Sequence, residues 1–135
     1  MSDWNGTIIE EFRANGGRVG GPFEGRTLLL VTHRGARTGT ERTNPLAYRR
    51  DDGRIFIFAS KGGSPAHPHW YLNLRANPEV TVEMGGESFA AKAEEITGEE
   101  RDRVYARQAA DWPQFGTYQE KTARTIPVVE LIPTG

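Results

Sequence analysis

Leu28-Leu29-Leu30-Val31-Thr32-His33-Arg34-Gly35-Ala36-Arg37-Thr38-Gly39-Thr40-Glu41-Arg42-Thr43-Asn44-Pro45-Leu46 sets an apolar run against a basic, glycine-bearing turn and then returns to apolar residues. A run of that length, stopped by charge and glycine, reads as a buried strand entering a loop. Gly35 and Gly39 permit positive φ and close backbone approach. Arg34, Arg37 and Arg42 bring planar, permanently charged donors, and Thr38 and Thr40 bring hydroxyls. Such a loop suits the phosphate or carboxylates of an anionic ligand. The same composition also fits a plain hairpin turn with solvated arginines, and the residues alone leave both readings open.

Downstream of this stretch the pattern stays that of strands. Residues 42–50 form the returning strand, with Pro45 marking an irregular spot or an edge. Asp51-Asp52-Gly53 is a tight-turn signal. Residues 54–60 form a third strand, and the unbroken Ile55-Phe56-Ile57-Phe58 implies burial on both faces. A loop over 61–68 leads to a short helix at 69–76, ended by Asn77-Pro78. Residues 79–84 and 87–96 alternate around Gly85-Gly86 as a hairpin. Thr97 to Glu100 has the form of a capping box opening a helix that runs to about Asp111. Trp112-Pro113 breaks that helix, a second short one follows at 115–123, and residues 126–132 form the last strand. Upstream, residues 2–15 read as a short helix capped by Ser2 or Asp3, and 16–25 as a glycine-rich connector. About six strands in hairpins with peripheral helices predict one α+β domain over 1–135, a small antiparallel barrel with helical covers.

At 135 residues the chain is expected to be a single domain with its own core. Its formal net charge of -1 does not fit a nucleic-acid binder. The charge is uneven: residues 33–61 carry seven basic against three acidic side chains, and residues 83–102 carry two against seven. One end can therefore attract anions while the whole stays near neutral. The chain has no cysteine, which removes disulfides and thiolate chemistry. No apolar run approaches the ~20 residues of a membrane span, and no basic-then-apolar leader opens the chain. The expectation is a cytoplasmic protein without stable membrane insertion, monomeric or weakly dimeric.

Three further groupings carry chemistry. Ser60-Lys61-Gly62-Gly63 stands where a buried strand opens into a loop, with exposed backbone donors and a mobile cation, or is an ordinary turn. Pro68-His69-Trp70-Tyr71-Leu72-Asn73 packs aromatic and hydrogen-bonding groups into one turn of helix, which suits a flat cofactor or simply plugs the barrel end. Trp112, Phe115 and Tyr118 recur every three residues as a stripe over a pocket or over the core. His67 and His69 are poorly spaced for a shared metal, and no metal site is expected. The dinucleotide fingerprint, the NTPase phosphate loop and the Gly-x-Ser-x-Gly elbow are all absent.

Taken together, four blocks resemble the deazaflavin-dependent nitroreductases of actinobacteria, which use coenzyme F420. The blocks are Arg37-Thr38-Gly39 with Arg42 and Asn44-Pro45-Leu46; Ala59-Ser60-Lys61-Gly62-Gly63; Trp70-Tyr71-Leu72-Asn73-Leu74 with Ala76-Asn77-Pro78; and Tyr118-Gln119 with Thr122 and Arg124-Thr125-Ile126-Pro127. The resemblance implies a split β-barrel of the FMN-binding kind and hydride delivery from reduced F420 to a quinone, enone or nitroaromatic. It implies that Arg37, Thr38 and Arg42, with Lys61, hold the phosphate and glutamate tail. Gly39, Asn44, Pro45 and residues Ala59 to Gly63 would line the cofactor groove, with Val31, Thr32, Pro68, His69, Trp70 and Asn73 beside it. Ser60 would hydrogen-bond the ring system, and Tyr118 would position or protonate the acceptor.

The acceptor pocket departs from relatives that reduce bicyclic nitroimidazoles. Trp112, Phe115 and Ala47 stand where those relatives carry tyrosines, so a more apolar pocket around Tyr118 is expected. A non-catalytic F420 carrier and an FMN-dependent enzyme of similar barrel type are the alternatives.

Overall fold

The hairpin at the head of the sequence organises a closed barrel. The computed structural model describes residues 4–14, 28–37, 39–60, 63 and 66–134. The elements in chain order are α1 (Trp4–Ala14), β1 (Leu28–Arg34), β2 (Glu41–Asp51), β3 (Arg54–Phe58), α2 (His69–Ala76), β4 (Glu79–Met84), β5 (Glu87–Ile96), α3 (Gly98–Asp111), α4 (Gln114–Lys121) and β6 (Val128–Pro133). The strands close in the order β1-β2-β3-β6-β5-β4, with β4 returning to β1 and every pairing antiparallel. The predicted caps at Ser2 and Asp3 and the connector over 16–25 lie outside the described residues.

Strand parity explains why β1 and β3 are apolar throughout. Leu29, Val31, Ile55, Ile57, Val82, Ala91, Val129 and Leu131 form the interior cluster, which Trp70, Tyr71 and Leu74 of α2 join. Residues of the other parity point outward, yet they too are covered. Leu28 and Leu30 pack under Ile8 and Phe12 of α1. Phe56 and Phe58 pack under Val104 and Tyr105 of α3 and Phe115 of α4. With both faces covered, alternation disappears from the sequence of these strands.

The pairing of β2 is uneven. It pairs with β1 from Glu41 to Ala47, but its ladder to β3 covers only Tyr48 to Asp51. Residues 41–47 thus have a strand neighbour on one side only. Pro45 sits in that half, where its missing N–H breaks no ladder to β3. The turn between β2 and β3 uses Asp52 (φ 51°) and Gly53 (φ 80°), the left-handed pair that a two-residue hairpin requires.

Surface pairs fasten the helices. Arg13 of α1 makes a two-pronged pair with Glu83 of β4 at 2.9 and 2.7 Å. Tyr71 of α2 donates to Glu95 of β5 at 2.6 Å. Arg54 grips Glu130 through two nitrogens at 3.1 and 2.8 Å and reaches Glu100 at 3.0 Å. That last contact corrects one expectation: Thr97 stands at the N-cap of α3 but makes no side-chain capping bond. The carboxylate expected to complete the box is directed to Arg54, where an ion pair replaces a backbone amide as its partner.

Helix α4 presses on the chain leaving β3. A Cβ on Gly63 (φ 84°) would stand 2.8 Å from the Tyr118 carbonyl oxygen and 2.9 Å from Lys121 Cβ. Only glycine fits such a contact with such a φ.

Two substitutions test this packing by urea denaturation. Phe56→Ala removes a ring that is 1% exposed beneath α3 and is expected to cost about 3–5 kcal/mol; a loss below about 1 kcal/mol would contradict the layer described. Gly63→Ala is expected to cost about 1–3 kcal/mol. Gly86→Ala, whose Cβ would meet nothing within 4 Å, is the control and should change stability little. Equal effects of the two glycine variants would contradict the contact with α4.

Candidate active site

The half-paired stretch of β2 faces the first turn of α2 across a cleft of about 360 Å³, lined by His33, Arg42, Thr43, Asn44, Pro68, His69, Trp70 and Asn73. That volume lies within the roughly 300–1,000 Å³ typical of small-molecule sites. Trp70 is 7% exposed and shared between the cleft wall and the interior cluster, so the plugging and lining roles coexist.

The loop at residues 35–40 is built by its own backbone. Gly35 N donates to Thr40 O at 2.9 Å and Gly39 N to Gly35 O at 3.0 Å, with Gly39 at φ 70°. Helix α2 fixes the loop from outside: Ala36 N donates to Asn73 Oδ1 at 2.9 Å, and Asn77 Nδ2 donates to Gly35 O at 3.4 Å. Arg34, Arg37 and Arg42 are exposed at this end of the barrel. Among the described residues none of the three forms an ion pair, a condition they share with Arg50, Arg75 and Arg103, whereas Arg13, Arg49, Arg54, Arg101 and Arg107 are paired. Arg42, a cation on the cleft wall with no carboxylate paired to it, is the kind of group an anionic ligand needs.

Beneath the cleft lies a residue that sequence reasoning did not single out. His33 is 2% exposed. Its Nε2 is 2.7 Å from Asn44 Oδ1 and its Nδ1 is 3.3 Å from Asn73 Nδ2. Burial lowers its pKa, and the neighbouring Arg42 charge acts in the same direction. The signal for it was parity: Leu29, Val31 and His33 follow one another at the inward spacing of β1.

Other expected positions divide by accessibility. Val31 and Ala59 are 0% exposed and Phe115 is 5% exposed, so these three side chains support the site from within the protein. Phe115 lies edge-on to Phe58 at 5.4 Å and joins Trp112 and Tyr118 in a T-shaped stripe at 5.1 and 5.3 Å. Thr32 pairs its hydroxyl with that of Thr43 at 2.9 Å. Ala47 touches both the cluster under α1 and the cluster under α4, and so marks the outer face of β2 between the two helices. Tyr118 is half-buried, and its hydroxyl has no protein partner among the described residues. Thr38, Lys61 and Gly62 lie outside the described residues.

The chain leaving β3 is held from the C-terminal side. Arg124 donates to Ala59 O at 3.1 Å and to Ser60 O at 2.9 Å, and contacts His67 Nδ1 at 3.1 Å. Gly63 N closes the turn on Ser60 O at 2.9 Å. Gln119 in turn accepts from Ile126 N and Arg101 and donates to Arg124 O. The Tyr118-Gln119 and Arg124-Thr125-Ile126-Pro127 blocks therefore hold Ala59, Ser60 and Gly63 in place. Among the described residues, no three His, Asp or Glu side chains stand together as a metal site. No helix among them is long and apolar enough to cross a membrane.

This arrangement has named counterparts. A family model described as F420H(2)-dependent quinone reductase matches residues 4–133. An F420H(2)-dependent quinone reductase of Mycobacterium tuberculosis (strain H37Rv) is 38% identical over 126 residues, covering 89% of this chain and 83% of that one. Among solved structures, an F420-H2 dependent reductase, FDR-A, superposes with a TM-score of 0.70 at 39% identity over 77% of this chain and 92% of that one. Another, described as a domain-swapped dimer, superposes with a TM-score of 0.73 at 32% identity over 93% and 94%. The barrel is the split β-barrel expected from the four blocks, and the chain belongs to the F420H(2)-dependent quinone reductase family, oxidoreductases that use coenzyme F420.

Proposed function

We propose that the protein reduces a small quinone with electrons from reduced F420, and that the cleft between β2 and α2 is where the coenzyme binds. The observation that carries this reading is Arg42 on the wall of a cleft with an aromatic side, with Arg34 in the adjoining groove and the exposed Arg37 in the loop between β1 and β2, in a chain of this family. The residues fit the coenzyme's chemistry: fixed cations for its phosphate and glutamate tail, and Trp70 with Pro68 beside a flat ring system. Bound there, reduced F420 supplies the hydride.

The chain's own residues do the rest. Arg37 and Arg42, with Lys61, neutralise the tail, and Thr38 and Gly39 bring hydroxyl and backbone contacts. Arg124 sets the Ala59 and Ser60 carbonyls, leaving the Ser60 hydroxyl and the 61–63 backbone to meet the ring. The acceptor lies over the outer face of β2, between Ala47 and the stripe of Trp112 and Tyr118. There the unpartnered Tyr118 hydroxyl holds an acceptor oxygen and supplies a proton as the acceptor is reduced. The apolar surround favours quinones over polar nitroheterocycles; enones and nitroaromatics are secondary acceptors. Helix α1 docks on its own barrel through Phe12, which supports a monomer or weak dimer; action in the cytoplasm on small molecules completes the proposal.

Fluorescence titration with F420 tests the assignment. Arg37→Ala combined with Arg42→Ala is expected to weaken binding about 10- to 100-fold, the loss of one or two charge-assisted hydrogen bonds, with the unfolding midpoint unchanged. An unchanged dissociation constant would contradict the role given to these arginines. With reduced F420, a quinone is expected to be turned over faster than a bicyclic nitroimidazole. Saturable binding without turnover of any quinone, enone or nitroaromatic would favour a carrier instead.

A further inference from the structure

One directed chain of polar groups joins the arginine loop to the cleft. Ala36 N–H can only donate, so the Asn73 atom facing it at 2.9 Å is the amide oxygen. The Asn73 nitrogen then donates to His33 Nδ1 across 3.3 Å. His33 Nδ1 is thereby an acceptor, the ring proton resides on Nε2, and Nε2 donates to Asn44 Oδ1 across 2.7 Å. The Asn44 Nδ2 group is left over. It has no protein partner among the described residues, and no buried side-chain nitrogen or oxygen there lacks one. Its two N–H donors are therefore accessible, on a residue that lines the cleft. A single backbone amide thus dictates the orientation of two asparagines and the tautomer of one histidine.

We propose that His33 is a positioning residue: held as the neutral Nε2–H tautomer, it aims the Asn44 amide donors at an oxygen of the bound coenzyme and, through Asn73, holds the arginine loop, so that the ligand binds only when His33 is uncharged. This rests on the assignment of the cleft to F420. Protonation would place an Nδ1–H against the Asn73 nitrogen. Asn73 would have to turn its amide over, setting its nitrogen against Ala36 N–H, donor facing donor. The loop would lose the shorter of its two ties to α2 in the same event, keeping only the 3.4 Å bond from Asn77.

Charged and titratable groups surround the ring on every side. Arg34 follows it on β1, Arg42 stands opposite on β2, and His69 of α2 lines the same cleft. Glu41 and Glu79 line the groove that reaches His33 from the β4 side. Burial outweighs the opposing hydrogen bond to Asn44 and, with Arg42, favours the neutral ring, so the folded group titrates below the usual histidine range. The stability and affinity it supports are present above about pH 6.5. They fall as the pH drops from there toward the lower folded value.

His33→Gln supplies the test, because glutamine can accept from Asn73 and donate to Asn44 but does not titrate. Fluorescence titration with F420 is run from pH 7.5 to 5.5 on both proteins. Ionisation of the coenzyme is common to both titrations, so the difference between the two profiles reports His33. Each protein is referred to its own affinity at pH 7.5, and across the range the parent is expected to lose at least about threefold more than the variant. Superimposable profiles would overturn the proposal. The ring nitrogens of His33 in the ligand-free parent, read by 15N NMR at pH 7.5, give a second test that needs no variant to fold. An unprotonated Nδ1 with a protonated Nε2 is expected, and the opposite tautomer or an imidazolium would overturn the proposal. Absence of F420 binding by the parent at pH 7.5 would overturn the coenzyme assignment, while the ring tautomer would still decide whether the polar chain exists.

Discussion

Strand β2 is 11 residues long, yet it hydrogen-bonds to β3 only from Tyr48 to Asp51. The other half is paired with β1 alone, and this incomplete pairing opens the cleft to which the coenzyme is assigned. A barrel fully laddered at this seam would bury Asn44 and Arg42 between strands. Here the same residues form one wall of a cleft whose other wall is the start of α2. Pro45 belongs to this half of the strand, where a residue unable to donate breaks no pairing with β3.

The walls are tied together by different devices on the two sides. On the β1 side the tie is the polar chain from Ala36 through Asn73 and His33 to Asn44. On the α4 side, Arg124 holds two consecutive carbonyls of the chain leaving β3, and Gly63 lies in direct contact with the backbone of Tyr118. The second tie couples the segment assigned to the coenzyme ring with the helix assigned to the acceptor. Side chains held by fixed donors need little rearrangement when a ligand arrives, which suits the proposed placing of coenzyme and acceptor side by side.

Much of the fold was legible in the sequence because its local signals agree. Leu28 to Val31 followed by charge, the Asp51-Asp52-Gly53 turn, the Gly85-Gly86 hairpin and the Trp112-Pro113 break each became the element expected. The arginine loop and the Asn44, Trp70 and Asn73 positions were legible as motif blocks. His33 was not. Leu28 and Leu30 are buried by α1 and Leu29 and Val31 by the barrel, so the alternation that would have marked His33 as inward was hidden in a uniform apolar run. The capping box at Thr97 failed for a related reason: a pattern within four residues cannot reveal that Arg54, 46 positions away, claims the glutamate. The hold of Arg124 on the chain leaving β3 was likewise invisible, because the carbonyls of Ala59 and Ser60 that it grips carry no residue-type signature.

A second cleft, of about 300 Å³ between α2 and β5, is lined by Tyr71, Leu74, Arg75, Pro78 and Lys92 among others. It is lined in part by apolar and cationic groups, but lies away from the unpaired half of β2. The most direct measurement of where the coenzyme binds is backbone amide NMR of the protein titrated with F420. The account predicts that the largest shift changes fall on Ala36, Arg42 to Asn44 and Trp70 to Asn73. Changes confined to Arg75, Lys92 and Glu95, or none at saturating F420, would contradict it.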